Sequence, residues 1–136
     1  MDIVKTLKVS AAGMKAQGVR LRVLAENIAN ADSASSAPGV APYRRKMVSF
    51  ENVLDRETGI EMIQVDRISE DTSSFGKRYD PQHPAADADG YIQLPNIKPL
   101  IEMMDFREAQ RSYEANLRVL TVARGMIQRT IDMLRG

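Results

Sequence analysis

Apolar residues recur every seven positions at both ends of this chain and in no such order between. Near the start, Leu7, Met14, Leu21 and Ile28 form one row, and Val4, Ala11, Gly18 and Ala25 form a second, mostly small row beside it. Leu24 adds to the seam. This spacing predicts a helix from an N-capping Asp2 to about Asn30. Near the end, Phe106, Tyr113, Leu120, Ile127 and Leu134 form an unbroken row. Ala109, Asn116, Ala123 and Thr130 run alongside it, and Met103, Leu117 and Ile131 widen the stripe. A helix is predicted from Pro99, which suits a first turn, to about Arg135. At 1.5 Å per residue the two helices are roughly 40 and 55 Å long. A compact domain of 136 residues has a radius of gyration of only about 14 Å. Some of the apolar surface is therefore expected to be covered by other chains. A kinked, broken pair inside a single-chain bundle is the alternative. Gly13 and Gly18 each cost a helix about 1 kcal/mol relative to alanine, which points to a backbone passing close by.

Between the helices the pattern changes. Residues 31–42 are small, polar and interrupted by proline, and read as a loop. Residues 60–68 have strand character, residues 47–50 have less, and residues 91–94 alternate before Pro95. Turns are expected at 55–59 and 87–90. The expected fold is mainly α: long N- and C-terminal helices packed as a coiled-coil-like pair, with an irregular insert containing a small β element. Residues 1–31 and 97–136 are the discontinuous helical core, and 32–96 the loop-rich insert.

Charge sharpens this division and removes several functions. The chain has 19 basic and 18 acidic residues, a net charge of +1. Residues 32–96 hold seven basic and eleven acidic residues, so an acidic insert separates two mildly basic ends. Near-neutrality and only seven aromatic residues argue against nucleic acid as a partner. Without cysteine there is no disulfide, thiolate metal site or cysteine nucleophile. The single histidine, His83, lies near Asp80, Asp87 and Asp89. Set on a calcium-loop pattern, these leave Ala85 and Asn96 where carboxylates are required, so a turn is expected rather than a metal site. No catalytic constellation or phosphate-cradling glycine loop is present, which implies no enzyme, cofactor or small-molecule substrate. No window is long and apolar enough for a membrane span, and Lys5, Lys8 and Lys15 interrupt any cleavable signal.

Two polar groups remain. Asn27, Asn30 and Asn116 lie on or beside the apolar rows, where a polar residue can fix register; Asn30 can also simply end its helix. Tyr43, Arg44, Arg45 and Lys46 form the one basic cluster. Its expected use is contact with acidic side chains of a partner or of a neighbouring copy.

SAAGMKAQ at residues 10–17, with AENIANADS at 25–33, resembles the N-terminal signature of bacterial flagellar rod and hook proteins. PYRRKMVSF at 42–50 and the run from Asp80 to Leu120 narrow the resemblance to the FlgC family of the proximal rod. The loop at 33–41 matches least. The resemblance implies a non-enzymatic subunit of the flagellar basal-body rod, the periplasmic drive shaft, whose terminal helices form an inner tube. It implies partners in other copies of the chain and in the rod proteins FlgB, FlgF and FliE. It also implies passage through the flagellar type III export apparatus without a cleaved signal. A cytoplasmic helical adaptor or export chaperone is the alternative class.

Overall fold

The computed structural model describes residues 2–136. Helix α1 runs Ile3–Ala29, and Asp2 caps it by accepting a hydrogen bond from the Val4 amide at 2.9 Å. Helix α2 runs Pro99–Arg135 without a break, with proline in its first turn. Neither helix is broken, contrary to the alternative of a broken pair. Strands β1 (Lys46–Asp55) and β2 (Ile60–Glu70) form an antiparallel hairpin with a register shift between Ser49 and Phe50. Strands β3 (Gly76–Tyr79) and β4 (Tyr91–Leu94) form a second two-stranded antiparallel sheet. The expected strands at 60–68 and 91–94 are present; β1 is much longer than expected, and β3 was not expected at all.

The helices lie antiparallel. Asn27 meets Glu102, Arg20 meets Glu108, and Gly13 meets Asn116, so each step back along α1 is a step forward along α2. Nine residues of α2, 127–135, continue past the Asp2 cap, about 13 Å of helix with no stretch of described α1 opposite. The long hairpin packs on α1, and Lys8 holds Asp55 near its turn at 3.2 Å. The small sheet has its own core of Ala85, Ile92 and Ile97. Its turn needs glycine: Gly90 has a φ of 83°, and a Cβ there would lie 2.8 Å from the Tyr79 ring.

Candidate assembly interface

Most of the buried side chains between the two helices are small or polar, with Leu24 the large apolar exception. On α1 the buried residues facing α2 include Ser10, Gly13, Leu24 and Asn27. On α2, Glu102, Ala109 and Ala123 are buried and Asn116, in the same seven-residue row, is half-buried. Short side chains let the two backbones approach closely. Gly13 is the point of tightest approach, since a Cβ added there would lie 2.8 Å from Asn116 Nδ2. Gly18, expected to serve the same purpose, has nothing within 4 Å of its would-be Cβ. What passes close to Gly13 is the Asn116 side chain rather than the backbone expected there.

The large apolar rows flank that centre. Leu7, Met14, Leu21 and Ile28 are half-buried, as are Phe106, Tyr113, Leu120 and Ile127. Val4, Ala11 and Ala25 are exposed, Gly18 is half-buried, and Leu134 is 83% exposed. Beyond the rows, Val119, Val122, Met126 and Met133 also face outward.

One end of the pair is tied to the insert through a buried polar hub. Asn27 is fully buried; its Nδ2 donates to the Lys46 carbonyl at 2.8 Å and to Glu102 Oε2 at 3.2 Å. Its Oδ1 accepts from the Lys46 amide at 3.0 Å and from the Tyr43 hydroxyl at 3.1 Å. The other Glu102 carboxylate oxygen accepts from Arg45 Nε. Arg45 reaches Asp71 at 3.2 Å. Burial opposes the Arg45 charge, but Glu102 and Asp71 outweigh it and raise the guanidinium further above its usual range. Burial likewise raises the Tyr43 hydroxyl. Asn96 completes the join by accepting from the Arg45 amide at 2.8 Å and donating to the Asp71 carbonyl at 2.9 Å.

The basic cluster thus has partners inside its own chain. Arg44 stacks on Phe75 at 4.2 Å and donates to the Asp71 and Ser73 carbonyls, while Lys46 pairs with Glu26 at 3.1 Å. Residues 26, 71 and 102 converge on 43–46 and supply acidic and carbonyl partners within the chain. Asn30 caps α1, donating to the Glu26 carbonyl at 2.8 Å. His83 accepts from the Ala85 amide at 3.0 Å, and Asp87 accepts from the Asp89 and Tyr91 amides at 2.9 Å, as turn residues do. Glu102 stands in one seven-residue row with Ala109, Asn116 and Ala123, and that spacing is the sequence signal for its burial.

Residues 88–133, which include most of α2, match the family of the flagellar basal body rod FlgEFG protein C-terminal region. The chain is 46% identical over 129 residues to the flagellar basal-body rod protein FlgC of Agrobacterium fabrum, covering 95% of this chain and 93% of that one. It is 38% identical to FlgC of Bacillus subtilis over 98% and 99% of the two chains. The figure for FlgC of Salmonella typhimurium is 33%, over 98% of each. The chain belongs to the FlgC family of flagellar basal-body rod proteins. As a member of the FlgC family it is a structural subunit of the basal-body rod, not an enzyme. The FlgC relatives lend nothing to the adaptor or chaperone alternative. FlgC membership also implies assembly with other copies and other rod components in the flagellar basal body.

Proposed function

We propose that this subunit polymerises in the proximal rod through its two terminal helices, with residues 1–31 and 97–136 as the assembling core and 32–96 as the insert. The observation that carries this reading is the large apolar surface left half-open along both helices, together with the nine residues of α2 that outrun α1. Burying a large apolar side chain contributes about 1.5–3 kcal/mol, so rows repeated on every copy make a strong cumulative interface. Leu7, Met14, Leu21 and Ile28 meet Phe106, Tyr113, Leu120, Ile127 and Leu134 of neighbours in coiled-coil-like packing. Ala11, Gly18 and Ala25 admit a neighbouring backbone, and the polymer transmits torque. FlgB, FlgF and FliE are the heterologous partners, reached after passage through the flagellar type III export apparatus without a cleaved signal.

Sedimentation of the purified chain over a concentration series, alone and with the adjacent rod protein, tests this. Concentration-dependent assembly that is lost on deleting residues 127–135 is expected. A protein that stays monomeric in both mixtures, or assembles equally well without those residues, overturns the reading.

A further inference from the structure

An open groove of about 550 Å³ runs between α1 and the β1–β2 hairpin. It exists because Ala12 and Ala16 on α1 are too short to fill the space to Val53, Met62 and Ile63 on the strands. The α2 overhang has the complementary character. Ile127, Ile131 and Leu134 stand at i, i+4 and i+7 on one helical stripe, the spacing of a helix that seats in a groove. Ile131 is 40% and Leu134 83% exposed.

Charge selects between the available grooves. The hairpin, Lys46–Glu70, carries six acidic and three basic residues, and Glu51, Glu57 and Glu61 are exposed on it. Residues 124–136 carry three arginines and one aspartate. The charged residues that line the groove itself are Lys15, Asp55 and Arg56, and the two cations suit Asp132. The other large apolar groove, beside Ile3, Val119, Val122 and Met126, has Arg118 as its one charged lining residue and so lacks the acidic rim that the hairpin supplies.

We propose that the α2 overhang of one copy seats in the groove between α1 and the β1–β2 hairpin of the next copy. This rests on the rod-subunit reading and names the surfaces that meet. The overhang cannot fill its own groove. The groove lies beside Ala12–Val19, whereas residue 134 lies beyond the N-terminal end of α1, roughly 30 Å further along the helix axis. The contact joins two different surfaces, so it repeats head to tail and builds an open helical array.

The chain has no cysteine of its own, so introduced pairs are unambiguous. A chain carrying both Leu134→Cys and Val53→Cys is expressed in the flagellated bacterium, and isolated basal bodies are oxidised mildly. A ladder of dimers, trimers and longer species is expected, with none from Leu134→Cys combined with Val119→Cys. In a second arm, purified full-length chains bearing one substitution each are mixed at an assembling concentration, and the disulfide-linked pair is expected only from the 134 and 53 mixture. Assembly without the 134–53 bond in either arm, or bonding to 119 instead, overturns the inference and leaves the rod reading standing. Absence of the unmodified chain from basal bodies overturns the rod reading itself.

Discussion

Asn27 of α1 donates its side-chain amide to Glu102 of α2 at 3.2 Å, and neither side chain is more than 1% exposed. This bond crosses the helix pair at the point where the insert joins it. It therefore fixes three things together: the register of α1 on α2, the start of β1, and the orientation of Arg45.

Asn27→Leu strands the Lys46 amide and carbonyl, the Tyr43 hydroxyl and one Glu102 oxygen. Each buried polar group left unpaired costs about 1–3 kcal/mol. A loss of about 3 kcal/mol or more is expected in urea unfolding of the monomer. A change under 1 kcal/mol would show that water replaces these bonds freely.

Gly18 and Gly13 separate the two kinds of contact. Gly18→Ala meets nothing within 4 Å and is expected to stabilise the isolated chain by about 1 kcal/mol through helix propensity. Gly13→Val presses on Asn116 and is expected to cost about 1–3 kcal/mol by overpacking. Gly18→Leu should leave the monomer's thermal midpoint unharmed yet reduce incorporation into basal bodies, because any close neighbour at that position belongs to another copy.

Leu120 and Leu134 lie in one row with opposite expectations. Leu120 is half-buried, and its truncation to alanine should cost the monomer about 1–2 kcal/mol, at or below the low end for core leucines. Leu134→Ala should change monomer stability by less than about 0.5 kcal/mol but impair assembly. Unfolding curves paired with the amount of each variant in isolated basal bodies make the comparison.

Acid acts first on the insert. The Ser73 amide and hydroxyl, then Arg45, hold the Asp71 carboxyl below its usual range. Thr58, the Glu57 amide and Lys8 do the same for Asp55. A carboxylate with a depressed folded-state pKa stabilises fully above its unfolded value of about 3.9, and that stability is lost as pH falls through the folded value. Stability should therefore be flat near neutrality and decline below about pH 4. Asp71→Asn should flatten that decline in a pH series of urea midpoints, leaving the part due to Asp55.

Both helices were legible in the residues, α2 to its bounds, because seven-residue periodicity sustained over several turns is hard to imitate. The β2 and β4 strands and the turns ending at Gly59 and Gly90 were legible from alternation and turn chemistry. The β3 strand was not: all four of its residues, Gly76–Tyr79, are exposed, so no alternation marks it. The packed face of the helix pair was also hidden. Periodicity ranks rows by the size of their apolar residues, whereas close helix approach is decided by the smallest ones, Gly13, Ala109 and Ala123. Glu102 and Arg45 are 57 positions apart, and no local pattern pairs them.

The hub has a consequence for the order of events in time. Its bond between Asn27 and Glu102 spans 75 positions, and the same glutamate is also a partner of Arg45. While the chain emerges from a ribosome N-terminus first, three-quarters of it must be present before the join between helix and insert can close. Until then α1 has only the β1–β2 hairpin to pack against and lacks both α2 and the carboxylate that Asn27 meets, and most helical stability in proteins comes from such packing. Closure of so long a loop delays native structure, so the C-terminal third of the chain acts as the trigger for folding of all that precedes it.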